Sequence, residues 1–104
     1  MATVTMDAKQ GGVPQMVSGH FTSDGSAQVL TLGFTPQRVT VVNETDTIVW
    51  DKLGSMTAAN CVKVTSTTQS IETSSDILIN TDGTVTLSAT LVGTSKAIKF
   101  TAAA

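Results

Sequence analysis

The sequence predicts an all-β fold: a single antiparallel β-sandwich of jelly-roll-like form, or a β-barrel, preceded by an extended N-terminal arm. Three observations predict it. Apolar and polar residues alternate over short runs, β-branched Val, Ile and Thr dominate those runs, and Gly, Pro, Asn and Asp cluster between them. Many short strands separated by turns define a sandwich or a barrel. No stretch sustains a helical period, which excludes a parallel sheet with crossover helices.

Residues 1–18 read as the arm. Gly11-Gly12-Val13-Pro14-Gln15 is the strongest breaker cluster in the chain, and the apolar residues around it keep no period. Residues 19–104 read as the sandwich or barrel domain. His20-Phe21-Thr22 is a short run, and Asp24-Gly25-Ser26 after it has the composition of a hairpin turn. Leu30, Leu32 and Phe34 then alternate with Thr31 and Gly33 until Pro36, which has no N–H for a ladder, interrupts the run. Arg38–Asn43 resumes it, and Glu44-Thr45-Asp46 turns the chain into Thr47–Asp51, with Ile48 and Trp50 on one side.

Leu53–Asn60 is the one place with the composition of a helical turn, and it is short and lightly capped. Cys61–Thr65 returns to strand, with the valines facing one way and Lys63 the other. Ser70–Thr73 is a further short strand. Ile77–Ile79 and Thr84–Leu87 flank Asn80-Thr81-Asp82-Gly83, a good hairpin connection, and Ala97–Thr101 closes the fold with Ile98 and Phe100 inward.

Composition bounds the function. A chain of 104 residues fits one domain and can bury a core without metals or disulfides. Its charged fraction of 13% is about half the roughly 25% of ordinary globular domains, and serine and threonine take up the difference. A hydroxyl-rich surface costs little to desolvate, which suits a protein packed against neighbours. The net charge of −2, without a basic stripe, argues against nucleic acid as a partner. No apolar run is long enough to span a bilayer, so no membrane partner is expected either. The first residues lack the basic start and apolar stretch of a secretory signal, and the single cysteine, Cys61, reads as a buried small hydrophobe. Both fit synthesis in a reducing cytoplasm.

The sequence holds no recognisable catalytic constellation, so the expectation is a non-enzyme with no catalytic, cofactor-binding or metal-binding residues and no cofactor. His20 is the only histidine, and Ser18 and Asp24 stand near it, but triads are recognised by geometry rather than by proximity in sequence. One histidine and one cysteine do not make a zinc cage. Asp76, Asn80 and Asp82 lack the spacing and the closing glutamate of a calcium loop, and no glycine-rich phosphate loop is present. Trp50 reads as a core or interface anchor in preference to a sugar-stacking platform, since only 4% of residues are aromatic.

Leu32-Gly33-Phe34-Thr35-Pro36-Gln37-Arg38-Val39-Thr40-Val41-Val42-Asn43 resembles a segment of small structural proteins encoded in tailed-bacteriophage genomes. In those proteins a strand ending in tryptophan and a Gly-Met loop follow, matched here by Ile48-Val49-Trp50 and Gly54-Ser55-Met56. Their closing strand looks like Ala97-Ile98-Lys99-Phe100-Thr101-Ala102. The resemblance covers roughly residues 30–60 and the last strand. It implies a virion structural protein made in the host cytoplasm, above all a capsid decoration or cement protein on the capsid surface. The major capsid protein would then be its partner. The alternative it leaves is a tail or tail-fibre component with a lectin-like, carbohydrate-binding role, since Gly33-Phe34-Thr35-Pro36 is also similar to short lectin-like sandwiches.

Unpaired strand edges are a liability that oligomers remove, so self-association as a homotrimer or homodimer is expected. The expected interface residues are Met6, Val13, Pro14 and Met16 of the arm, with Trp50 and Met56 as anchors.

Overall fold

The alternating runs are strands, and the clusters between them turn or cross the chain. The computed structural model describes residues 2–10 and 15–104, with residues 8–10 described through their backbone alone. Among these residues the elements are β1 (Thr5–Gln10), β2 (Met16–Asp24), β3 (Gln28–Thr31), β4 (Arg38–Asn43), β5 (Ile48–Leu53), β6 (Cys61–Val64) and β7 (Gln69–Glu72). They continue with β8 (Ile77–Ile79), β9 (Thr84–Leu87), the helical turn α1 (Ala89–Val92) and β10 (Thr94–Ala103).

All described pairings are antiparallel, and they make two sheets. The larger has the order β1-β2-β10-β4-β5-β6-β7 and the smaller β3-β9-β8. Their facing sides share one core. Val17, Phe21, Val39, Val41, Trp50, Ile98 and Phe100 come from the larger sheet, while Leu30, Ile77, Val85 and Leu87 come from the smaller. The protein is therefore an all-β sandwich. Strand β10 lies between β2 and β4, and its residues Ile98–Ala103 are matched on both sides, Phe100 standing opposite Gly19 and Val41.

Local chemistry explains the joints. In the β8–β9 hairpin Gly83 has φ 82°, a conformation that favours glycine. Its carbonyl accepts from Leu32 N at 2.9 Å and Gly33 N at 3.1 Å, which ties the hairpin to the end of β3. Asp24-Gly25-Ser26 is a turn, but it joins strands of different sheets: β2 belongs to the larger and β3 to the smaller. It is a corner rather than a hairpin, and the same turn residues serve both.

The helical turn falls at Ala89–Val92, where Ser88 Oγ accepts from Leu91 N at 3.0 Å as an N-cap. Leu53–Asn60, where a helical turn was expected, is a series of non-helical turns. Its carbonyls are occupied by a side chain from β5, described below.

The N-terminal arm expected over residues 1–18 is corrected. Thr5–Gln10 is a strand, paired with β2 from Thr5 opposite His20 to Gln10 opposite Met16. The expected boundary after residue 18 cuts through β2, whose Val17 is in the core. Of the breaker cluster that suggested an arm, residues 11–14 lie outside the described residues, between β1 and β2 in the sequence. A bulge between Met6 and Ala8 shifts the register and breaks the alternation that would have marked β1 as a strand.

Gly19 lets β1 and β10 approach together. A Cβ there would lie 2.5 Å from Thr5 O and 2.6 Å from Phe100 Cζ. Gly19→Ala is expected to lower stability by about 1–3 kcal/mol in urea unfolding, the usual range for overpacking. Amide exchange in β1 should accelerate more than in β4 or β5.

Candidate functional site

Among the described residues, the expected interface residues lie on different faces of the fold. Met6 lies opposite Gly19 on the core side of the sheet edge, whereas Met16 shares the outer face with Ser18 and His20. Both methionines are exposed. Val13 and Pro14 lie outside the described residues. Met56 is half-buried, and its Sδ accepts from Leu53 N at 3.4 Å within the β5–β6 connection.

Trp50 is only 3% exposed and points into the core, so its ring is closed to a sugar or to a docking partner. Its buried Nε1–H has no hydrogen-bond partner among the described residues. The Lys63 ammonium stands 5.8 Å from the ring centroid, a cation–π arrangement that covers the ring.

What the fold does assemble is a broad outer face on the larger sheet. Because side chains alternate, the residues opposite in sequence to the core set share this face. Register aligns Lys99, Val42, Val49 and Val64 in one row across β10, β4, β5 and β6. The next row runs Ser18, Thr101, Thr40, Asp51, Val62 and Ile71 from β2 to β7.

One half is therefore hydroxyl and charge, and the other is largely apolar, with Ile71 54% exposed. Arg38 clamps Asp51 through Nε at 3.2 Å and Nη2 at 2.8 Å, and Thr40 Oγ1 donates to the same carboxylate at 3.2 Å. Lys99 approaches Glu44 at 3.4 Å. Such exposed pairs orient side chains more than they stabilise the fold. The alternation in β6 was legible, but its sense was not: Cys61 turns to the core, while Val62 and Val64 face outward.

Beneath the sheet lies a buried polar group that the sequence did not mark. Lys52 is 2% exposed, and its Nζ donates to the carbonyls of Thr57, Ala58 and Asn60 at 3.1, 3.0 and 2.7 Å. This ammonium organises the β5–β6 connection. Burial pushes its pKa below the usual lysine value.

Burial raises the Cys61 thiol, with Asp76 adding to the rise, so Cys61 remains a protonated core residue. Asp76 Oδ1 accepts from Ser88 Oγ at 2.8 Å, and Asp76 O accepts from Ser88 N at 2.9 Å, joining the start of β8 to the cap of α1.

The remaining titratable groups pair locally. His20 Nδ1 contacts Asp7 Oδ2 at 2.8 Å across β1 and β2, so its carboxylate partner is Asp7 rather than Asp24. Asp24 Oδ1 accepts from Ser26 N at 3.2 Å and Ser26 Oγ at 2.6 Å, which holds its pKa down to about 2. Asn80 Nδ2 donates to Thr84 Oγ1 at 3.1 Å and Thr86 Oγ1 at 3.0 Å, while Asp82 accepts from Thr84 N at 3.2 Å. Among the described residues no group of three His, Cys, Asp or Glu is placed to hold a metal ion. No described helix is long and apolar enough to cross a membrane.

No family model, no curated protein and no solved structure matches this chain.

Two consequences are measurable. Lys52→Met leaves three inward carbonyls without their donor and should cost about 2 kcal/mol or more in chemical denaturation. Fast amide exchange is expected across Leu53–Asn60. The lowered carboxyls of Asp24 and Asp82 set the second. A depressed folded pKa stabilises above the unfolded value of 3.8, and that contribution is lost as pH falls towards about 2. Asp24→Asn should therefore melt below the parent at neutral pH, with the gap closing on acidification through this window.

Proposed function

We propose that this protein is a non-enzymatic virion structural protein, a decoration or cement protein that adheres to the capsid of a tailed bacteriophage. The observation that carries the reading is the outer face of the seven-stranded sheet, which joins a hydroxyl-rich half to an apolar half on one rigid surface. Six strand spacings make it roughly 29 Å wide, the scale of a standard interface of about 800 Å² per partner. Hydroxyls cost far less to desolvate than charges once a partner re-forms their hydrogen bonds, and short side chains lose little rotamer entropy when covered. A lattice presenting the same site many times would bind such a face repeatedly, and copies linked to one another would add avidity.

The sequence resemblance in residues 30–60 and the last strand points the same way. The burial of Trp50 removes the residue on which a sugar-stacking role would have rested.

Co-sedimentation with expanded, undecorated phage capsids tests this. Saturable binding is expected. It should fall at least tenfold in affinity when Lys99 and Thr101, both exposed on the outer face, are replaced together by glutamate. Absence of binding across a panel of such capsids would overturn the reading, and glycan binding by the intact protein would favour the tail-fibre role.

A further inference from the structure

We propose that the free edge of β7 pairs with the β7 of a second copy of this chain, giving a two-fold dimer centred on Ile71. The inference stands on the sheet alone and does not depend on a virion role.

Among the described residues the two sheets present four edges, and three are guarded. β1 carries a bulge between Met6 and Ala8 and the charge of Asp7. The N-terminal stretch is tied to β3, with Ala2 N donating to Gln28 Oε1 at 3.1 Å and Gln28 Nε2 to Ala2 O at 3.0 Å. β8 has only three residues, and Ser75 N just before it donates to Ala59 O at 3.0 Å. β7, in contrast, has a regular register with β6, no proline, and Glu72 as its only charge. Natural sheets protect their edges with such bulges, charges and covers, so an unguarded edge marks a place for another strand.

Register determines which groups β7 offers. Thr65 N donates to Thr68 O at 2.8 Å, which makes these two a hydrogen-bonded pair at the head of the β6–β7 hairpin. Hydrogen-bonded and non-hydrogen-bonded pairs alternate along an antiparallel ladder. Ser70 and Glu72, opposite Lys63 and Cys61, therefore bond inward to β6. Gln69 and Ile71 direct their N–H and C=O groups to the open edge.

A second copy suits this edge for three reasons. Directly opposite residues in an antiparallel pair project to the same face, so a two-fold axis normal to the sheet can place Ile71 against the second copy's Ile71. Each Ile71 N–H then donates to the other's carbonyl, using the groups that face outward. The same register sets Glu72 opposite the second copy's Ser70, a carboxylate beside a hydroxyl, so the two Glu72 side chains are not opposed. Lastly, Ile71 is 54% exposed and adjoins Val62 on the outer face. Pairing makes one unbroken apolar row, Val62 and Ile71 of one copy followed by Ile71 and Val62 of the other, where a polar partner would leave Ile71 in water.

Sedimentation equilibrium of the full chain from micromolar to millimolar concentration reads the association directly. A monomer–dimer equilibrium is expected, weakened at least tenfold by Ile71→Lys, which sets two ammonium groups at the axis. Far-ultraviolet circular dichroism should be unchanged, because the substituted side chain is exposed. Ile71→Cys in oxidised glutathione should give a disulfide-linked dimer, since hydrogen-bonded pairs hold Cα atoms about 5.5 Å apart, within disulfide reach. Cys61 is buried and does not compete. A chain that remains monomeric at millimolar concentration overturns the proposal and leaves the edge to a strand from another protein. A dimer that persists undiminished in Ile71→Lys also overturns it, by placing the contact elsewhere.

Discussion

The fold depends on the two-sided pairing of β10. Strands β1 and β2 come from the start of the chain, and β4 to β7 form a consecutive run in its middle. Neither group contacts the other along a ladder; both are hydrogen-bonded to the last strand. Ile98, Phe100 and Ala102 enter the core from the seam between them, and Gly19 gives the Phe100 ring its space. Without β10 the larger sheet separates into a hairpin and a meander, each with a half-covered apolar face. The most consequential pairings therefore span most of the sequence, an arrangement of high contact order that slows folding relative to local hairpins.

Much of this architecture was legible because period-two alternation is a strong signal wherever one face is buried. Leu30, Val39, Val41, Ile98 and Phe100 are core residues as their runs implied. The signal weakened where chemistry and position diverged. β1 was hidden by its bulge and by the adjacent breaker cluster, and so read as an arm. The turn at Gly25 was correctly placed, but residue type does not distinguish a hairpin from a corner between sheets. In β6 the alternation is plain, yet valines are the natural choice for the inward side, and here Cys61 occupies it. The true order of faces is set by Trp50 and Lys63 across the neighbouring strand, a tertiary fact with no local trace.

The candidate surface was less legible than the fold. Methionine and tryptophan are residue types that dominate many interfaces and so mark anchors in a sequence. Trp50 instead serves the core, while Met6 and Met16 stand on different faces of one hairpin. The residues that do form a continuous face are short and individually unremarkable: Thr40, Thr101, Val42, Val49, Val64. Only the register that aligns β10, β4, β5 and β6 brings them into rows, and register is the part of a β structure that a single sequence specifies least openly. The apolar half of that face ends at the β7 edge, so surface and edge share Ile71.

Lys52 has a consequence for how the β5–β6 connection tolerates its surroundings. Three carbonyl oxygens converging on one positive centre is the arrangement by which many loops capture a dissolved cation. Here the positive centre is covalently attached to the strand that the loop follows. It is present at a fixed, very high effective concentration, and neither chelation nor dilution can remove it. The loop is thus tied as an ion-bound segment is, with no dependence on ion supply.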